Sequence, residues 1–153
     1  MRVKELMTSD VKSCDLNTNL AAAAKIMWEE DCGAVPVIDA QGQVVGIITD
    51  RDICIAGATR FRGEGEIPVG DVISKALYTC APSDDARAAL ETMRLRRIRR
   101  LPVVDQSGHL TGMLSLHDIA AQARSSKGAD VPTDAVLDTY LAITAATDTR
   151  VHA

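Results

Sequence analysis

The stretch GIITDRD, residues 46–52, decides how the rest of the chain is read. A glycine leads two apolar β-formers, and a threonine follows with two aspartates flanking an arginine. The apolar pair suits a buried strand, so Thr49 and Asp52 stand three residues apart where that strand runs out. The pattern returns at residues 112–118 as GMLSLHD: glycine, two apolar residues, hydroxyl, two variable positions, aspartate. A hydroxyl and a carboxylate at this spacing can cap a helix, hold a polar ligand, or do both.

Outward from these two stretches the whole chain falls into one register. Residues 3–53 overlie residues 69–119 without a gap. The identities are Val3/Val69, Cys14/Cys80, Ala22/Ala88, Ala23/Ala89, Met27/Met93, Pro36/Pro102, Val37/Val103, Asp39/Asp105, Gly42/Gly108, Gly46/Gly112, Asp52/Asp118 and Ile53/Ile119. Matching proline, glycine and aspartate positions in one register marks an internal duplication.

Each repeat reads the same way locally. Short β segments are expected at residues 11–14 and 77–80. The polar runs LNTN and PSDD then open a helix. Leu20, Ala23, Ala24 and Met27 lie on one helical face, as do Ala86, Ala89, Leu90 and Met93 in the second copy. The strands AVPVID and RLPVVD follow. Turns with Gly42 and Gly108 at a positive φ lead into VVGIIT and LTGMLS. The motif aspartate then opens a last helix. The order is β-α-β-β-α, twice, in an α+β fold. Two repeats of this length bury little alone, so the sequence predicts one shared core with pseudo-twofold symmetry. The boundaries are residues 1–58 for the first repeat, 59–68 for a linker, 69–124 for the second repeat and 125–153 for a tail.

Composition bounds the function. The chain has 153 residues, 46% hydrophobic but only 3% aromatic, so Val, Ile, Leu, Ala and Met must build the core. A net charge of −4 argues against a nucleic-acid or membrane binder. No apolar run approaches a membrane span, and no signal peptide is visible; a cytoplasmic protein is expected. Cys14, Cys32, Cys54 and Cys80 form no C-x-x-C pair and stand at no zinc spacing with histidine, so they read as small hydrophobes. No nucleophile elbow, P-loop, metal-ligand spacing or acid–base pair is present, so neither catalytic nor metal-binding residues are assigned.

With LMTSDV at its start, AVPVID, GIITDRDI, and the repeats RLPVVD and GMLSLHDI, the chain resembles a tandem CBS-domain pair, the Bateman module, over about residues 1–124. It is similar to the small stand-alone CBS proteins of bacteria. The resemblance implies that Thr49 with Asp52, and Ser115 with Asp118, hold the phosphate and ribose of an adenosine nucleotide. The chemistry suits that role: a carboxylate accepts from ribose hydroxyls, a hydroxyl donates to phosphate, and a helix N-terminus favours an anion. Carried over from the family, Val11, Lys12, Cys32 and Gly33 would serve the site of Ser115 and Asp118. Leu77, Tyr78, Ile98 and Arg99 would serve that of Thr49 and Asp52. The ligand would be AMP, ADP or ATP, with or without magnesium. Family precedent implies a homodimer and an unidentified regulated protein.

Two departures from symmetry stand out. The run RLRRIRR, residues 94–100, replaces WEEDCGA in the first repeat. Arg94 and Arg97 suit a helix C-terminus, whereas Arg99 and Arg100 precede a strand where the family meets phosphates. The second motif also reads SLHD against TDRD. Arg51 can lend its site a permanent charge that neutral His117 cannot, so the two sites are not equivalent. In the tail, Thr133 suits a helix cap, and Val136, Leu137, Tyr140 and Leu141 form a stripe expected to dock the helix on the module or on a second subunit. The last residues, ATDTRVHA, are expected to fray. The competing readings are a structural dimerisation module with vestigial clefts and, behind it, an enzyme.

Overall fold

The computed structural model describes residues 1–74, 76–125 and 130–145. The elements within them are β1 Cys14–Asp15, α1 Leu20–Glu29, β2 Ala34–Ile38, β3 Val44–Thr49, α2 Asp50–Thr59, α3 Ala86–Arg96, β4 Arg100–Val104, β5 Leu110–Ser115, α4 Leu116–Ser125 and α5 Thr133–Thr144. Single 3₁₀ turns at Val3–Glu5 and Val69–Asp71 open the two repeats. Among the described residues this is a mixed α+β fold of five helices and two small sheets.

The chain divides into two compact units that cut across the sequence repeats. One comprises residues 9–79 and 104–112, the other residues 1–8, 80–103 and 113–153. The leading 3₁₀ turns explain the exchange. Val3 N donates to Asp84 O at 2.9 Å and Lys4 N to Pro82 O at 3.0 Å, so the first turn packs with the second repeat. Val69 N donates to Thr18 O at 2.7 Å and Gly70 N to Leu16 O at 2.9 Å, so the second turn packs with the first. Val3 and Val69 are both fully buried, which anchors each arm by an apolar side chain.

In the unit of residues 9–79, β1, β2 and β3 form one sheet, β1–β2 parallel and β2–β3 antiparallel. The inward residues of β3 alternate as Val44, Gly46 and Ile48, the period of a half-buried strand. They meet α1 and α2 over a core of Leu20, Ala23, Met27, Val35, Val37, Ile48 and Ala56. Asn19 caps α1, its side chain accepting from Ala22 N at 2.8 Å. The glycine of the β2–β3 turn, Gly42, sits at φ 78°, which the missing Cβ permits. Asp39 Oδ1 closes that turn by accepting from Gln41 N and Gln43 N at 2.9 and 3.0 Å.

The other unit repeats these devices. Asp85 caps α3 through Arg87 N at 2.8 Å, and α3 buries Ala86, Ala89, Leu90 and Met93 as the spacing predicts. Helices α3 and α4 pack with each other, and α5 packs along both.

Two expectations need correction. The first β segments are shorter than predicted. β1 holds only Cys14–Asp15, because Asp15 Oδ1 then turns the chain by accepting from Asn17 N and Thr18 N at 2.8 and 2.9 Å. Its counterpart is a single parallel bridge between Cys80 and Val103. Thr133 opens α5 but does not cap it; Pro132 holds the cap position and no side chain fills it. Of the tail stripe, Val136 is half-buried while Leu137, Tyr140 and Leu141 are exposed. The buried residue of α5 is Thr139, whose hydroxyl donates to Ala135 O at 2.8 Å and is thereby satisfied within the helix. Residues 126–129 of the tail and the final ATDTRVHA, expected to fray, lie outside the described residues.

The cysteines fall into two classes with a measurable consequence. Cys14 and Cys80 are buried, and burial pushes their thiols up to about 11 and about 12. Cys32 and Cys54 are exposed. At pH 8 a thiol reagent is expected to label Cys32 and Cys54 quickly, and Cys14 and Cys80 only on unfolding, because the thiolate is the reacting form. Unfolded thiols ionise above about pH 8.5, while the buried pair stays protonated, so stability should fall as pH rises past that point. Peptide mass mapping after timed labelling checks the first expectation and thermal melts from pH 7 to 10 the second.

Candidate functional site

Both motifs sit at a β-strand-to-helix junction, one in each unit. At the end of β3, Thr49 N donates to Asp52 Oδ2 at 3.0 Å and Asp52 N donates to Thr49 Oγ1 at 3.1 Å. This is a reciprocal capping box with aspartate in the third helical position. At the end of β5, Ser115 N donates to Asp118 Oδ2 at 2.8 Å and Asp118 N to Ser115 Oγ at 3.2 Å. All four side chains are half-buried, within reach of solvent.

The copies differ in one hydrogen bond. Ser115 Oγ also donates to Asp118 Oδ2 at 2.7 Å, so that carboxylate oxygen accepts twice. Thr49 makes no such bond to Asp52; its hydroxyl only accepts from the backbone. Arg51, beside the first pair, is exposed, and so is His117 beside the second.

Sequence reasoning did not foresee how the residue before β2, or before β4, is used. Gly33 O accepts from Asp50 N at 3.1 Å, and Arg99 O accepts from Leu116 N at 2.9 Å. Each carbonyl binds the first helical N–H of the motif in its own repeat, and the two bonds are equivalent by the duplication. Both residues follow a left-handed break, Asp31 at φ 49° and Arg97 at φ 55°, a backbone turn that neither side chain announces in the sequence.

The remaining expected residues distribute as follows. Val11, Lys12, Cys32, Gly33, Leu77 and Tyr78 lie in the unit that holds Thr49, Arg51 and Asp52. Ile98, Arg99 and Arg100 lie in the unit that holds Ser115 and Asp118. Val11, Gly33, Leu77, Tyr78, Ile98 and Arg100 are half-buried, whereas Lys12, Cys32 and Arg99 are exposed. Within the arginine run, Arg94 pairs with Glu91, Nε to Oε2 at 2.8 Å and an Nη to Oε1 at 2.6 Å, which holds the Glu91 carboxyl below its ordinary range. Arg97 ends α3 in the left-handed region and donates to Ala145 O. Both therefore serve the helix end, as their position suggested. Among the described residues, no three His, Cys, Asp or Glu side chains gather as a metal site, and no helix is long and apolar enough to cross a membrane.

Comparison with known proteins accounts for this architecture. The family model of the CBS domain matches twice, over residues 3–58 and 69–124. The chain belongs to the CBS-domain family as a tandem pair. It is 36% identical over 127 residues to the CBS domain-containing protein YhcV of Bacillus subtilis, covering 83% of this chain and 89% of that protein. Among solved structures it is similar to the CBS domain pair of protein MJ0100 in complex with 5′-methylthioadenosine and S-adenosyl-L-methionine, with a TM-score of 0.76 and 24% identity over 83% of this chain and 98% of that one. It is also similar to the CBS domain protein PAE2072 from Pyrobaculum aerophilum complexed with AMP, with a TM-score of 0.70 and 25% identity over 77% of this chain and 89% of that one.

Proposed function

We propose that this CBS pair is a cytoplasmic regulatory module that binds an adenosine nucleotide at its two strand–helix motifs and is not an enzyme. The observation that carries the reading is the duplicated hydroxyl–carboxylate pair, half-buried at a helix N-terminus in both units. Carboxylate oxygens suit ribose hydroxyls, and the helix start with its hydroxyl suits a phosphate. The AMP complex of the Pyrobaculum relative supports the ligand class. Regulation follows if the ligand binds two arrangements of the module with different affinity and so shifts their population.

Phosphate number should matter. Arg100 is half-buried in the unit of Ser115 and Asp118, and Ala34 stands at its place in the first repeat. Guanidinium–phosphate hydrogen bonds are charge-assisted and screened by salt. AMP, ADP and ATP are expected to bind more tightly than adenosine, less so at high salt. Arg100→Ala should narrow that gap at the second motif. Calorimetric titration of the four ligands at two salt concentrations tests this. Equal affinity for adenosine and AMP would remove Arg100 from any phosphate contact.

We also infer a homodimer. Trp28 and Phe61, two of the chain's four aromatic residues, are 87% and 96% exposed, with Ile55 exposed on α2. Large apolar groups left in water favour a second copy, and twofold dimers are the commonest closed assembly. Light scattering at micromolar concentration is expected to give twice the chain mass; a monomeric mass with and without nucleotide refutes it.

A further inference from the structure

The second motif departs from the first at its variable positions, and the departure continues along the helix. Asp50, Cys54 and Gly57 of α2 become Leu116, Ala120 and Ala123 of α4. At spacings of four and three residues these lie on one helical stripe. In the first repeat the stripe is polar or small, with Asp50 and Cys54 exposed. In the second it is apolar, and Leu116 and Ala123 are each only 8% exposed. The unit that holds this apolar stripe also holds α5, packed along both α3 and α4.

Helix α5 is fastened at both ends to elements around the second motif. Near its start, the Asp130 carbonyl accepts from Arg87 Nε on α3. At its end, the Ala145 carbonyl accepts from Arg97. Arg97 is the left-handed residue that ends α3, and two residues on, Arg99 O holds Leu116 N. Leu116 in turn stands between Ser115 and the other half of the capping box, Asp118. One short path therefore joins the end of α5 to the motif: the Arg97 side chain, the backbone to Arg99, and the first turn of α4.

We propose that α5 is a strap on the second motif, so that docking of this helix and occupancy of the Ser115–Asp118 site favour each other. The ligand half of this proposal rests on the functional reading above; the mechanical half does not. A strap that packs along α4 and holds Arg97 fixes the helix start that presents Ser115 and Asp118. By linkage, a ligand that orders this helix start also holds the strap down. The first motif, with Asp50 in place of Leu116, lacks the apolar anchor, so the control is asymmetric between repeats.

Hydrogen exchange read by mass spectrometry tests both halves on the full chain. Thr139→Arg places a charge at the buried point of α5, and Arg97→Ala removes its far anchor at an exposed residue. Both are expected to speed exchange in α5 and, severalfold, in residues 115–119, while residues 49–53 keep wild-type protection. Saturating AMP on the wild type is expected to slow exchange in α5. Unchanged protection of residues 115–119 once α5 exchanges freely would overturn the strap, as would α5 exchange indifferent to both substitutions, or to bound AMP. If residues 49–53 also lose protection in Thr139→Arg, that variant has unfolded, and Leu116→Asp, which installs the first repeat's residue, decides by the same two readouts. If AMP does not bind the wild type at all, the functional reading fails, and the exchange of residues 115–119 in the variants alone upholds or overturns the strap.

Discussion

Replacing Asp52 and Asp118 together by alanine is expected to abolish adenosine-nucleotide binding, and each single replacement to weaken it by about 1–3 kcal/mol, the scale of a lost charged hydrogen bond. That is roughly five- to 150-fold in Kd. The same substitutions remove half of a capping box, because Asp52 Oδ2 accepts from Thr49 N and Asp118 Oδ2 from Ser115 N. Loss of a cap costs about 0.5–2 kcal/mol of stability. Melting curves recorded on the same samples separate the two effects: a folded double variant that no longer titrates assigns the carboxylates to the ligand. A folded double variant with wild-type affinity removes the site assignment. The additional Ser115–Asp118 bond makes a further distinction. A ligand at the second motif must compete with an internal hydroxyl donor, whereas the Thr49 proton is not directed at Asp52.

Ile48→Ala should be the most destabilising single truncation near the first motif. Ile48 is fully buried in β3, one residue before Thr49, among Val35, Val37, Leu20 and Met27 of the same core. Deleting most of a buried aliphatic side chain costs about 2–5 kcal/mol, as transfer free energy plus the cavity left behind. Leu95→Ala, at an exposed position, should stay within about 0.5 kcal/mol. Urea denaturation of the two variants beside wild type provides the comparison. A cost at Ile48 no larger than at Leu95 would mean that this core does not support the motif.

Much of this architecture was legible because the chain says it twice. Pro36/Pro102, Asp39/Asp105 and Gly42/Gly108 recur in one register, and a turn whose glycine needs a positive φ can be recognised from sequence. The helix faces were legible for a similar reason: Leu20, Ala23 and Met27, like Ala86, Ala89 and Met93, repeat at the helical period and are buried. The exchange of leading arms was not legible. Val3 and Val69 are equivalent in sequence, and nothing local says which repeat each one packs with. The stripe of Val136, Leu137, Tyr140 and Leu141 left open whether α5 docks on the module or on a second subunit, and its spacing did not single out Thr139 as the buried residue. Of the candidate site, the hydroxyl–carboxylate pairs and their cap geometry could be read from spacing. The carbonyls of Gly33 and Arg99 could not, because their role depends on the backbone turns at Asp31 and Arg97 rather than on side-chain type.

The most direct measurement is equilibrium titration of the wild-type chain with AMP, with chromatographic analysis of the nucleotide recovered afterwards. The account requires saturable binding, loss of that binding in the folded Asp52→Ala/Asp118→Ala double variant, and AMP returned chemically unchanged. Absence of binding up to millimolar AMP, ADP and ATP would instead leave a dimerisation module with vestigial clefts, and conversion of the nucleotide to a product would make the protein an enzyme.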